Sequence, residues 1–398
     1  MKKIAKLSLV AAVAVAGLTT ANAQSLEDAI KNVETSGSVV YRYNDYKNDV
    51  TDGSDTNNNY KVALNLSSKV NEDVKFNSRF LVANEDGNFA GPLDTQDAGD
   101  TNPTVSLSHA NFGYTGIANT TITAGKQGLT TPWTVAIDSD GQEQTGTGLL
   151  ALTTVGPVTL AAAYFNQTNL DNSGDAAATL NALSPNSKAG SRDIITVGAI
   201  ANLDFVTLDA WYLDLAETFD SYTVGAKADI DLTDVKLGLD TRFASLNADR
   251  LTTDNQMAKI ALTAKAGIVN GKVAYAWTDK EGGLTALDND ANTTLLGWNL
   301  TSNNKADANY WQGVIGVDIL SNLNLSANYG NLQYISAAGS TTDVEEEEIY
   351  AQLMYKMSKN LSTYVRYGTY TKETTAANTR TVENNDDVRG RVQVEYTF

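Results

Sequence analysis

The sequence contains no cysteine, five prolines and a single histidine in 398 residues. Without cysteine there is no disulfide framework and no thiolate metal site. With only His109, a Ser-His or Cys-His nucleophile is hard to assemble, so no enzyme is read and His109 is taken as a wall residue. Pro92, Pro103, Pro132, Pro157 and Pro185 all fall in loops or at strand edges, as a sheet requires, because proline cannot donate to a ladder. Basic residues are also scarce, at 29 Lys and Arg against 47 Asp and Glu. That balance argues against nucleic acid, which needs basic stripes. After residue 23 no run is long and apolar enough for a transmembrane helix. No glycine-rich phosphate loop stands between a strand and a helix.

What is present begins with an export signal. Lys2, Lys3 and Lys6 precede an apolar run from Leu7 to Leu18, and Ala21-Asn-Ala23 forms a small-x-small cleavage site. Residues 1–23 are therefore read as a secretory signal peptide. Residues 24–35 follow as a short periplasmic segment, with a capped helical turn expected over Ser25 to Val33.

From residue 36 to 398 the dominant pattern is alternation. The closing segment shows it best. Val388, Gly390, Val392, Val394, Tyr396 and Phe398 are apolar or small, and Arg389, Arg391, Gln393, Glu395 and Thr397 lie between them. Period two makes a strand with one greasy and one wet face. Its length suits a tilted crossing of a bilayer, and it ends on an aromatic where an interfacial girdle residue would sit. In lipid such a strand needs partners on both sides, which means a closed barrel. An edge strand of a soluble sheet is the plainer alternative for this segment alone. The chain's 18 Tyr against 9 Phe and 5 Trp suit rings with an apolar body and a wet tip.

The same rhythm repeats to give about eighteen strands. Connections near 71, 117, 156, 203, 232, 270, 321 and 359 read as short turns. Those at 47–58, 84–103, 128–144, 167–191, 216–220, 247–255, 279–308, 336–346 and 371–386 read as long, or acidic and polar. Short periplasmic turns alternating with longer outer loops are the mark of an outer-membrane antiparallel β-barrel. Thr293 to Thr301 is apolar enough for a strand and is left in a loop to keep that parity; sixteen strands is the alternative.

A barrel of this width is not filled by its own side chains and leaves an aqueous channel. Passive passage of small hydrophilic solutes and ions in the bacterial outer membrane is therefore expected, with lipid and lipopolysaccharide around it. Selectivity would come from a loop folded inward and from the charges facing it. The third long loop, 129–148, is the candidate. It carries Asp138, Asp140 and Glu143, and a Pro-Trp pair in which Trp133 could anchor it to the wall. The strand phase turns Arg42, Arg79, Arg242, Arg366, Arg389 and Arg391 away from the apolar face, so a basic wall would oppose the acidic loop. Ordinary wet-face arginines paired with nearby acids are the plainer reading.

Calcium on Asp138, Asp140 and Glu143 is a further expectation, as is an oxygen-ligand site at Asp288-Asn-Asp290; neither has the EF-hand spacing. The acid run Glu345 to Glu348 reads as a solvated rim that concentrates cations. Tyr350, Tyr364 and Tyr370 face inward but look too scattered for an aromatic track. A substrate-specific channel and a non-transporting or adhesin-like barrel are the competing readings.

Four blocks together resemble the Campylobacter-type major outer membrane porins. They are Ser25-Leu-Glu-Asp-Ala-Ile-Lys-Asn-Val33, Gly37-Ser-Val-Val-Tyr-Arg-Tyr43, the Ala124-Gly-Lys-Gln127, Thr131-Pro-Trp-Thr134 and Gly146-Thr-Gly148 group, and Arg389 to Phe398. The resemblance covers both ends and the third-loop region. It implies an eighteen-stranded homotrimeric porin with a constriction loop and a preference for cations.

Overall fold

The computed structural model describes residues 32–398 apart from 51–52, 85–88, 90–103, 174, 176, 252 and 377–380. The expected leader, and nearly all of the helical turn expected after it, lie outside the described residues. Eighteen strands form one antiparallel sheet in chain order: β1 (Glu34–Asn48), β2 (Gly53–Lys69), β3 (Val74–Ala83), β4 (Thr104–Ile117), β5 (Thr120–Gly128), β6 (Thr145–Val155), β7 (Val158–Thr168), β8 (Ile194–Leu203), β9 (Val206–Leu215), β10 (Phe219–Asp231), β11 (Val235–Ala248), β12 (Asn255–Ala266), β13 (Val269–Thr278), β14 (Ala306–Leu320), β15 (Leu323–Ile335), β16 (Thr342–Lys356), β17 (Leu361–Ala376) and β18 (Val382–Thr397).

β18 pairs with β1, from Ser38 opposite Thr397 to Asn48 opposite Asp387, and shuts the ring. Beyond that register Gly37 and Phe398 exchange backbone hydrogen bonds of 2.9 and 3.1 Å. Gly37 has no room for a side chain, because a Cβ would stand 2.2 Å from the Ala63 carbonyl oxygen and 2.7 Å from the Phe398 ring.

The faces sort as the period-two pattern predicts. In β1, Val39 and Tyr41 are exposed while Val40, Arg42 and Asn44 are buried. In β8, Ile195 and Val197 are exposed while Ile194 and Thr196 are buried. An apolar face left open on a closed ring is the face that meets lipid, so the buried, more polar face points inward.

Several expected boundaries shift. Residues 53–58, read as loop from their Asn and Asp content, belong to β2 and pair with β1, as in Asn44 opposite Asn57. A hairpin rising past the bilayer is wet on both faces, so its polar residues carry no loop signal. The connections 49–52, 216–218 and 249–254 are thus short, and the long ones are 84–103, 129–144, 169–193 and 279–305. The turn expected at residues 269–271 is Gly267-Ile268, because Gly267 takes the positive φ that the turn needs. Thr293 to Thr301 forms no strand, only an isolated bridge between Leu296 and Thr301, so the count is eighteen and not sixteen. One short helix, α1 (Ala177–Leu183), lies in the 169–193 connection and buries Leu180.

Candidate functional site

The 129–144 segment leaves β5 and returns to β6 on its own framework of hydrogen bonds. Leu129 N–H donates to the Gln144 carbonyl at 2.9 Å, and Gln144 N–H to that of Ala136 at 3.1 Å. At its tip Gly141 N–H donates to the Asp138 carbonyl, and Gln142 N–H to the Asp138 carboxylate at 2.8 Å. Gly141 takes φ +89° there, a left-handed conformation that favours glycine.

Trp133 is fully buried. It packs in a cluster with Leu129, Phe165, Leu180, Leu213 and Leu287, and its Nε1–H donates to Ser221 Oγ of β10 at 2.8 Å. Its carbonyl accepts from Leu287 N–H at 2.8 Å, and that of Pro132 from Thr293 N–H at 3.1 Å. Trp133 thus meets β10 at Ser221 and also the 279–305 connection, a partner that the sequence did not indicate. These two segments are far apart in the chain, and no local pattern couples them.

At its other end the segment reaches the wall of β1 to β4. Glu143 accepts from Arg79 of β3, with Nη2 at 2.7 Å and Nε at 3.1 Å, and lies 2.9 Å from Lys61 Nζ of β2. Ser108 Oγ of β4 donates to it at 2.5 Å. Burial alone would raise this carboxyl. The Arg79 hydrogen bonds and the Lys61 and Arg79 charges outweigh that and hold it at about 2. Lys61 Nζ also donates to the Gly141 carbonyl at 2.6 Å. Sequence reasoning named only arginines and missed Lys61, although its position opposite the inward Val40 has the right phase.

Arg42 donates from Nη2 to the Ser139 carbonyl at 2.7 Å and lies 3.4 Å from Asp140; Arg391 lies 3.7 Å from the same carboxylate. Three of the six expected arginines, Arg42, Arg79 and Arg391, thus meet the third-loop acids. The other three do not. Arg242 of β11 is paired at 2.7 Å with Asp209 of β9, reaching across β10. Arg366 and Arg389 face the 279–305 connection. Trp298 stacks 5.0 Å from the Arg366 guanidinium, and Asn299 Oδ1 accepts from Arg389 Nη1 at 2.5 Å. Height on the wall, which period-two phase does not encode, separates the two groups.

Two aspartates sit where the connections meet. Asp138 is buried, and desolvation, reinforced by Asp140, Asp175 and Asp290, pushes it up to about 7 against the Gln142 hydrogen bond. Desolvation likewise takes Asp288 to about 8, and Gln144 Nε2 donates to it at 2.5 Å. Ser139 N–H and Oγ donate to Asp290, each at 3.0 Å.

Asp138, Asp140 and Glu143 do not fit a shared calcium ion. Glu143 is taken up by Arg79 and Lys61, and Asp140 faces Arg42 and Arg391. Among the described residues no three His, Asp or Glu side chains are placed to hold a metal.

The acid run departs from the expected solvated rim. Glu346 and Glu348 are buried. Glu346 lies near Lys305 and Lys372 and accepts from Tyr334 Oη at 2.5 Å. Glu348 accepts from the backbone N–H of Trp298 and Asn299, at 2.9 and 2.7 Å, and so pins the 279–305 connection to β16. The alternation within β16 turns these two inward and leaves Glu345 exposed. His109 stays a wall residue of β4, as expected.

A family model described as the Campylobacter major outer membrane protein matches residues 1–398. None of the curated proteins matches the chain. Similar solved structures include OpdL of Pseudomonas aeruginosa, with a TM-score of 0.70 at 17% identity over 92% of this chain and 99% of that one. OccAB3 of Acinetobacter baumannii gives 0.73 at 14% identity, over 92% and 99%. Pseudomonas aeruginosa OccK2 (OpdF) in complex with glucuronate gives 0.71 at 15% identity, over 92% and 98%. At such identities the likeness is one of fold.

Proposed function

We propose, from the premise that the chain belongs to the Campylobacter major outer membrane protein family, that it is a general-diffusion porin whose bore is narrowed by the 129–148 loop. It sits in the bacterial outer membrane as a transport channel. The observation that carries the narrowing is a span. Glu143 is held on β2 and β3, and Trp133 on Ser221 of β10, seven strands round a ring of eighteen from β3. A segment tied at both places lies across the lumen and sets the smallest opening.

A preference for cations follows from the charge of −18 and from Asp140, which is 62% exposed while Glu143 is neutralised by its partners. Assembly as a homotrimer belongs to the same proposal and rests on the family. Single-channel recording of the unboiled protein under a KCl gradient tests it. Large ohmic steps in threes with K⁺ favoured over Cl⁻ support it; absence of conductance sinks it.

A substrate-specific channel is the second reading. It is favoured by the fold's likeness to a channel solved with glucuronate and to another, OpdK, solved with vanillate. Small steps blocked by one solute alone would select it.

A further inference from the structure

The tip of the 129–144 segment is also met by a ring from another connection. A Cβ built on Gly141 would stand 2.3 Å from Cε2 and 2.6 Å from Cδ2 of Phe89. The same ring lies over Arg42, whose guanidinium carbon is 4.3 Å from the ring centroid. Phe89 belongs to the 84–103 connection between β3 and β4, and is the one aromatic residue in that stretch of sequence. The ring is half-buried. Gly141 thus has two reasons to be glycine: its φ of +89°, and the ring packed against the place where a side chain would start.

Arg42 and Gly141 are the points where the tip meets the wall. Arg42 of β1 donates from Nε to Gln393 Oε1 of β18 at 2.8 Å and from Nη2 to the Ser139 carbonyl at 2.7 Å. Lys61 of β2 donates to the Gly141 carbonyl at 2.6 Å. These bonds use the edge of the Arg42 guanidinium, and the Phe89 ring takes its face. The Arg42 side chain is 7% exposed, whereas Asp140, which it faces at 3.4 Å, is 62% exposed. An ion pair with so exposed a partner is weak by itself. The place of Asp140 therefore depends on packing that holds the tip as well as on its own charge.

We propose that Phe89 is a positioning residue of the constriction: its ring presses the 139–141 tip against β1 and β2 and so fixes where Asp140 stands in the lumen. The connection between β3 and β4 then takes part in setting the opening, beside the anchors at Glu143 and Trp133. Phe89 carries no charge. It bears on ion preference only by placing a carboxylate and by covering the face of a guanidinium.

The proposal rests on the reading of 129–148 as the narrowing of a channel, and its test separates the two. In the detergent-solubilised full chain, hydrogen exchange of amides 138–144 should be about tenfold faster in Phe89→Ala than in the parent, the scale of one part-buried cation–ring contact. Phe89→Tyr, which keeps the ring, should restore slow exchange. Phe112→Ala, which removes a ring from the outer face, should leave these amides as they are in the parent. Gly141→Ala should speed exchange more in the parent than in the Phe89→Ala background, because only in the parent does the new Cβ meet the ring. In planar bilayers under a KCl gradient, Phe89→Ala should raise the conductance and move the reversal potential toward anion preference. Parent-like exchange in Phe89→Ala, exchange in Phe89→Tyr as fast as in Phe89→Ala, or additive effects of the Phe89 and Gly141 substitutions would each overturn the contact. Faster exchange with an unmoved conductance and potential would take Phe89 out of the constriction and overturn the proposal as well. A parent that passes no current but shows the expected exchange pattern would sink the channel reading and keep the contact. A conducting parent matched in both readouts by Phe89→Ala would do the reverse.

Discussion

Arg79 grips Glu143 across 64 residues of chain, with Nη2 2.7 Å and Nε 3.1 Å from the carboxylate. Lys61 reaches the same carboxylate, and both partners are largely shielded from water. Removing one member of such a group leaves the others charged and unpaired, at a cost of about 3–5 kcal/mol. Glu143→Gln should therefore release the loop from β2 and β3 while the hydrogen-bonded ring stays shut. Single-channel conductance should rise, and the K⁺ preference should fall as Arg79 and Lys61 lose their counterion. A variant with the parent's conductance would show that this end of the loop does not define the opening.

The opposite anchor is apolar. Trp133 is fully buried, and truncating a buried tryptophan costs about 3–5 kcal/mol. The Ser221 hydrogen bond is worth only about 1 kcal/mol of that. Trp133→Ala should expose the 129–144 segment to limited proteolysis, and Ser221→Ala should not. Equal cleavage in both variants would assign the anchor to the hydrogen bond and not to packing.

Asp140 is 62% exposed, so its pairing with Arg42 and Arg391 contributes less than about 1 kcal/mol to stability. Its part is electrostatic. Asp140→Asn should leave the thermal unfolding temperature unchanged and move the reversal potential under a KCl gradient toward anion preference. An unmoved potential would show that Asp140 does not set the cation preference.

Acidity should tighten the contact between the 129–144 and 279–305 connections. Folded Asp138 titrates at about 7 and Asp288 at about 8, above the ordinary carboxylate value of about 4. A carboxyl raised on folding contributes stability that is complete below its unfolded value and is lost as pH rises through its folded value. Glu143, held at about 2, works the other way: its contribution is present above the ordinary range and disappears only as pH falls toward 2. Near pH 5 both kinds of contact are intact. Once corrected for intrinsic rates, hydrogen exchange of amides 138–144 should be slower at pH 5 than at pH 8. Asp138→Asn should abolish most of that difference; an undiminished difference would rule Asp138 out.

The ring was legible because alternation is local: a few residues reveal which face meets lipid. Trp133 was legible as an anchor because nothing on an open surface loop calls for a buried indole. The rest depends on distance through the fold. Ser139 meets Asp290 across 151 residues of chain, and Trp298 meets Glu348 across 50, with no repeating pattern to announce either. Glu346 and Glu348 were misread because four consecutive acids suggest hydration, and only their pairing as alternate residues in β16 shows that two of them turn inward. Arg242 had the right phase and the wrong neighbours, since Asp209 lies beside it on the wall.

The seam between β1 and β18 decides whether the sheet has an edge. β18 completes the ring by joining β1, the first strand described. Without it, β1 and β17 would both present unpaired backbone, the exposed edges that a closed ring abolishes. Phe398 and the Gly37 notch that receives it then act as a clasp. A chain cut short by a few residues would keep most of its staves and lose its circumference.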